Sequence, residues 1–173
     1  KGRILLLTNE TRNNILIYDK NGQLLDAWGT EYPGAHGLTL FNENGVDVLF
    51  ICDNTRHQVI KTTIDGKVLM TLDYPKETGM YEKPEEYIPT ETAIAPNGDI
   101  YVADGYGKDF IIQYDSQGRY IRHFGGRGEG SDAARRPRPR ACRDPRAPAG
   151  ARLTRSAHGR GEVWRLDLRR SHV

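Results

Sequence analysis

The segment Ile15–Leu16–Ile17–Tyr18–Asp19–Lys20–Asn21–Gly22–Gln23–Leu24 is written three times in this chain. It returns as Val59–Ile60–Lys61–Thr62–Thr63–Ile64–Asp65–Gly66–Lys67–Val68 and as Ile111–Ile112–Gln113–Tyr114–Asp115–Ser116–Gln117–Gly118–Arg119–Tyr120. In each copy two aliphatic residues stand seven and six places before a glycine. An apolar residue (Trp28, Leu72 or Phe124) stands six places after it. Asn-Gly or Asp-Gly between apolar segments is a hairpin signal, and the two-residue form of that hairpin is a type I′ turn with positive φ at both central residues. Gln117–Gly118 is a weaker version.

A second phrase precedes each copy: Leu5–Leu6–Leu7–Thr8–Asn9, Leu49–Phe50–Ile51–Cys52–Asp53 and Ile100–Tyr101–Val102–Ala103–Asp104. Short apolar runs closed by Asn or Asp read as buried strands. Two copies have a further strand and turn upstream, His36–Leu40 with Asn42–Gly45 and Thr92–Ala95 with Pro96–Gly98. The glycines are 44 and 52 residues apart, from Gly22 to Gly66 to Gly118. Four short antiparallel strands at that period are the signature of a β-propeller blade. The period-two pattern excludes a helical repeat. The fold class is therefore all-β, a β-propeller fragment. Blade one lacks its first strand, blades two and three are complete, and residues 73–88 form a longer loop between the latter two. Propellers close with at least four blades, so three leave open edges that favour self-association.

Charge divides the chain. Residues 1–130 hold 13 basic and 19 acidic side chains, a balance of −6. Residues 131–173 hold 12 arginines, no lysine and 4 acids, a balance of +8. The sequence is thus read as propeller blades over 1–130 and an Arg/Pro/Ala-rich tail over 131–173. The tail has three candidate explanations: a basic arm that binds polyanions, a proline-stiffened spacer, or a fourth blade read through a shifted frame. Val163–Trp164–Arg165–Leu166–Asp167 falls 52 residues after Ile111–Asp115 and resembles it, but Arg170 replaces the glycine that should follow. The tail has the length of a blade and traces of its pattern, without evident strands or turns. That favours a damaged or frameshifted fourth blade. The acidic body argues against nucleic acid as a partner. No apolar run reaches the about 20 residues of a membrane helix. Two cysteines, Cys52 and Cys142, exclude a disulfide scaffold.

Asp53–Asn54–Thr55–Arg56–His57–Gln58–Val59–Ile60–Lys61, Tyr101–Val102–Ala103–Asp104–Gly105–Tyr106 and Phe124–Gly125 resemble NHL repeats over roughly residues 13–128. Such proteins are usually six-bladed propellers. Within them the chain is similar to the peptidyl-α-hydroxyglycine α-amidating lyases and their bacterial relatives. That resemblance implies a zinc held by three histidines from different blades, a structural calcium, a catalytic tyrosine and arginines at the site. His36–Gly37–Leu38 matches the motif that supplies one zinc histidine, so His36 is the expected zinc ligand and the Leu38 carbonyl the expected calcium ligand. Asp104–Gly105–Tyr106 matches the motif of the catalytic tyrosine, which makes Tyr106 that residue. It also implies a small-molecule or peptide ligand on one propeller face and an exported protein. The departures are Ala35 where the family has proline, Tyr18–Asp19–Lys20 where an arginine is expected, and Arg138–Arg143 where the second zinc histidine belongs. The third would lie beyond Val173. With one zinc histidine in view, the expectation is a chain inactive by itself. The alternative is a non-catalytic NHL scaffold.

The remaining side chains carry plainer readings. Asp53 and Asp104, with Asn9 at the same place, are expected to cap turns, as are Asp19 and Asp115. Cys52 is expected to be an inert core thiol. His57 is placed on a strand, and His123, His158 and His172 have no supporting pattern. Glu91 has two readings, an acid facing the channel near the position equivalent to His36 and, preferred, a solvated loop acid. Trp28, Tyr32, Tyr74, Tyr81 and Tyr87 are read as blade packing or loop anchors.

Overall fold

The computed structural model describes residues 2–126 and the backbone of two later strands, 151–157 and 162–168. The regular structure of the described residues is β throughout apart from two short 3₁₀ turns. Blade one is a three-stranded antiparallel sheet of β1 (Ile4–Leu7), β2 (Ile15–Tyr18) and β3 (Leu24–Trp28). Blade two is four-stranded: β4 (Ala35–Glu43), β5 (Val46–Asp53), β6 (Gln58–Thr63) and β7 (Val68–Leu72). Blade three repeats that order with β8 (Glu91–Ile94), β9 (Ile100–Ala103), β10 (Phe110–Tyr114) and β11 (Tyr120–Gly125). The repeat thus gives the sheets expected of it, including the missing first strand. Residues 73–88 form the long connection, with short 3₁₀ turns at Lys76–Thr78 and Pro84–Glu86. Among the described residues no helix is long and apolar enough to cross a membrane.

The hairpin geometry differs from the type I′ expectation. Gly22, Gly66 and Gly118 have positive φ, but the residues before them do not. Each turn instead closes with paired backbone bonds, such as Gly22 N–H to Asp19 O (3.1 Å) and Asp19 N–H to Gln23 O (2.9 Å). The register also shifts by one residue there. This is the three-residue loop with a left-handed glycine bulge. A side chain three places before the glycine selects it. Asp19 Oδ1 accepts from the Asn21 and Gln23 amides at 2.8 Å each, and Asp115 Oδ1 accepts from Gln117 and Arg119 at 2.9 Å each. Thr63 Oγ1 does the same for Lys67 in blade two. The two-residue I′ turn occurs at Asn44–Gly45, where both φ are positive (52° and 90°) and Glu43 faces Val46.

Alternating burial splits the core into layers between blades. Ile15 and Ile17 of blade one meet Ile51 and Ile60 of blade two. The other face of blade two, through Val48, Phe50 and Val59, meets Ile100, Val102 and Ile112 of blade three. Ala95, Tyr101 and Ile111 form the buried far face of blade three. Trp28, Tyr32, Tyr74, Tyr81 and Tyr87 all belong to these layers, as expected.

Beyond residue 126, β12 (Ala151–Ala157) and β13 (Glu162–Leu168) pair antiparallel as a hairpin. The expectation of a tail without strands is corrected to that extent. The positions 138–143, Cys142, Arg170, His158 and His172 lie outside the described residues, as does the boundary between 130 and 131.

Candidate functional site

The first strands of blades two and three, β4 and β8, lie side by side, and the site forms where they begin. Gly37 lets them approach, since a Cβ there would overlap the Thr90 carbonyl. Its neighbour His36 is exposed and donates from Nδ1 to that same Thr90 oxygen at 3.1 Å. A carbonyl only accepts, so Nδ1 carries the proton and Nε2 keeps its lone pair. Nε2 lies 3.3 Å from the Tyr106 hydroxyl, and the rings meet edge to face with centroids 5.1 Å apart. Two residues 70 positions apart in sequence are therefore in contact. An imidazole whose far nitrogen is fixed by a carbonyl is the arrangement that orients metal-ligating histidines.

Tyr106 is 54% exposed, so it is not packed between blades. It sits on the β9–β10 loop, and Asp104 holds that loop. The fully buried Asp104 carboxylate accepts from the Lys108 amide (2.7 Å), the Ile88 amide (2.8 Å) and the Tyr81 hydroxyl (2.7 Å). Burial, then the Asp104 charge, raises the Tyr81 phenol far above its ordinary range. Asp53 does the equivalent work for the β5–β6 loop, accepting from Thr55 (2.9 Å) and Arg56 (2.8 Å). Both aspartates are turn caps, as read from their recurrence. Asn9 is not: it is exposed, and Thr8 with the buried Asn14 closes that loop instead. The register gives the reason: Leu7 lies opposite Ile15 as Cys52 does opposite Val59 and Ala103 opposite Ile111, so Thr8 and not Asn9 stands where Asp53 and Asp104 do.

Leu38 lies opposite Ile51 in β4, with its side chain against the blade one–two layer. The next residue, Thr39, gathers oxygens. Its hydroxyl lies 3.0 Å from Glu91 Oε1 and 2.9 Å from the Thr92 carbonyl, and it accepts from the Thr92 hydroxyl at 2.7 Å. Glu91 is thus a half-buried strand residue at the β4–β8 contact, not the solvated loop acid expected. Cys52, fully buried, has its thiol pushed well up by burial and then by Glu91 and Asp53, which makes it inert.

His57 is corrected as well. It precedes β6 in a turn with φ of 58°, and donates from Nδ1 to the Tyr87 carbonyl at 2.7 Å. It lines a cleft of about 360 Å³ with Arg56, Gln58, Asp73, Tyr74 and Lys76. Thr90 went unrecognised as a site residue, and Glu91 was set aside in favour of a solvated acid. A carbonyl anchor has no sequence signal, and Glu91 shows its role only once β4 lies beside β8. Among the described residues no three His, Cys, Asp or Glu side chains converge as a metal site.

The chain is 34% identical to peptidyl-alpha-hydroxyglycine alpha-amidating lyase 1 of Drosophila melanogaster over 108 residues, 60% of this chain and 19% of that protein. It is homologous to the amidating lyases. A probable member from Caenorhabditis elegans is 31% identical over 120 residues, covering 67% of this chain and 32% of its own. The chain thus spans about a third or less of the length of these amidating-lyase relatives. In structure it is similar to virginiamycin B lyase from Staphylococcus aureus, with TM-score 0.54 and 17% identity over 76% of this chain and 40% of that one. That likeness establishes the propeller fold. No family model matches the chain.

Proposed function

We propose that this chain is part of a propeller lyase of the amidating type, cleaving a carbon–nitrogen bond in a peptidyl-α-hydroxyglycine, with His36 as one zinc ligand and Tyr106 as the proton acceptor. The observation that carries this reading is the His36–Tyr106 contact. Two side chains from different blades converge, and the histidine presents an oriented lone pair. His36 Nε2 suits zinc, but a catalytic zinc needs three protein donors and the described residues bring one histidine to the place. Zinc, when bound, would polarise the substrate hydroxyl oxygen. The chain's own parts are simpler. Thr90 O holds the His36 ring, and the Asp104-capped loop holds Tyr106 where its oxygen can accept a proton. Calcium at the Leu38 carbonyl rests on the His36–Gly37–Leu38 motif, since the nearby oxygens of Thr39, Glu91 and Thr92 are bonded to one another.

The donor count is why this chain is read as inactive by itself. Residues 131–173 are read as a damaged or frameshifted fourth blade: the recurrence of the repeat phrase within β13 supports a blade there over an independent arm, and the shifted frame rests on the Arg-rich stretch 138–143 where the second zinc histidine belongs. The test is zinc content and turnover of a peptidyl-α-hydroxyglycine by the 173-residue chain, with His36→Ala alongside. The expected result is weak zinc binding lost in the variant and no turnover above background. Zinc binding unchanged by His36→Ala removes the reading.

A second reading, a non-catalytic scaffold that binds a peptide or small ligand, is favoured by the cleft at His57 and Tyr74. Peptide binding that is lost on Tyr74→Ala and indifferent to zinc would support it.

A further inference from the structure

Tyr106 reaches His36 from a turn, Gly105–Lys108, that sets a glycine on each side of the tyrosine. Glycine leaves a backbone free to take many conformations. More than half of the Tyr106 side chain is exposed, and among the described residues it bonds and packs on His36 alone. Its place is therefore set by what fastens the two ends of the turn. Asp104 fastens the first end, through the bonds already described. Lys108 stands at the other.

The Lys108 amide donates to Asp104 Oδ2 at 2.7 Å, and its ammonium crosses to the connection 73–88. There Nζ donates to the Met80 carbonyl at 2.8 Å and pairs with Glu86 Oε2 at 2.6 Å. Glu86 Oε2 also accepts from the Glu82 amide at 3.0 Å, so the carboxylate is itself held in place. The two side chains are 36% and 24% exposed, which partly shields a charge-assisted bond from water. Between them the backbone is close, since a Cβ at Gly107 would overlap the Glu86 carbonyl. Blade two has half of this device. The Arg56 amide donates to Asp53, and its guanidinium donates to the Glu31 carbonyl in the connection before that blade, at 3.0 Å. Among the described residues Arg56 has no carboxylate partner, so the ion pair is added only in the blade that carries Tyr106.

We propose that Lys108 and Glu86 are positioning residues that hold Tyr106 against His36, so that the connection 73–88 sets the geometry of the site. A reacting pair depends on being held in place before reaction. The chemical use of this geometry rests on the lyase reading, but the positioning does not.

The nuclear Overhauser contact between the His36 and Tyr106 rings in the 173-residue chain tests it. The contact is expected in the native chain and in Lys108→Arg, which keeps a cation of similar reach. It should be lost in Lys108→Met and, separately, in Glu86→Ala, with the β-sheet circular dichroism unchanged. Glu86→Ala keeps the proposal testable if Lys108→Met misfolds. Arg56→Met, the matching truncation in blade two, should leave the contact intact. A contact that persists in either folded variant of the pair overturns the proposal, and so does one lost equally in Arg56→Met. Zinc binding indifferent to His36→Ala, with the ring contact still lost in Lys108→Met, would remove the lyase reading and leave this one standing. Zinc held through His36, with a ring contact indifferent to Lys108, would do the reverse.

Discussion

Gly37 presses its backbone against the Thr90 carbonyl, and that carbonyl is the one that orients His36. The glycine of the His-Gly-Leu motif thus sets the distance between two blades as well as the direction of the histidine beside it. Gly37→Ala should destabilise the chain by about 2 kcal/mol or more, because the obstacle is backbone and cannot rotate away. Urea denaturation reads this. An unchanged midpoint would show that β4 and β8 have slack.

The tautomer of His36 follows from the same bond. Nitrogen-15 spectra at pH 8 should show the proton on Nδ1, in the native chain and in Tyr106→Phe alike, since Thr90 and not Tyr106 fixes it. Tyr106→Phe should leave stability within about 0.5 kcal/mol, as expected of an exposed hydroxyl. A proton on Nε2 would contradict the assigned direction of the lone pair.

Asp104→Ala strands three buried or part-buried donors, from Tyr81, Ile88 and Lys108. The expected cost is about 3 kcal/mol or more. Tyr81→Phe, which removes a single donor, should cost about 1–2 kcal/mol. Loss of the His36–Tyr106 contact, seen as a change in the His36 ring shifts, should accompany the first variant only.

Burial holds the His123 imidazole below its ordinary 6.5, beside Phe110 and with the Tyr120 hydroxyl 2.7 Å from Nδ1. The unfolded chain therefore takes up the proton first as pH falls. The contribution of neutral His123 is full above about pH 6.5 and is lost as pH drops through the lower folded value. Stability measured across pH 7 to 5 should fall less in His123→Gln than in the native chain. Parallel curves would mean that His123 is not the group responsible.

Asn44→Ala and Asn21→Ala make a matched pair. Each asparagine precedes a glycine, but only Asn44 has positive φ. The first variant should cost about 1 kcal/mol and the second less than about 0.5 kcal/mol. Equal losses in thermal denaturation would reverse the assignment of the two turn types.

Blade number, strand order and the missing strand were legible because they depend on local pattern, alternating apolar residues closed by turn chemistry. The His36–Tyr106 pairing was legible only through resemblance, since nothing local links residues 70 apart. What stayed hidden is what backbone or distant chain supplies. Asn-Gly fits two hairpins, and the choice at Asn21 was made by Asp19 reaching forward to two amides. The Thr90 carbonyl has no side-chain signature. His57 looked like a strand residue because the apolar run of β6 follows it directly, yet its φ puts it in the turn. Glu91 gained its role from Thr39, a residue of another blade.

The layered core also has a consequence for the order of melting. Blade two is held on both sides, by Ile51 and Ile60 on one and by Val48, Phe50 and Val59 on the other, whereas blade one is held on one. In an array where each unit touches only its neighbours, loss of structure starts at the least-held end. The 173-residue chain by itself should therefore unzip from β1–β3 inward. The amides of Ile15 and Ile17 should exchange with solvent well before those of Ile51 and Ile60, although the four side chains share one layer.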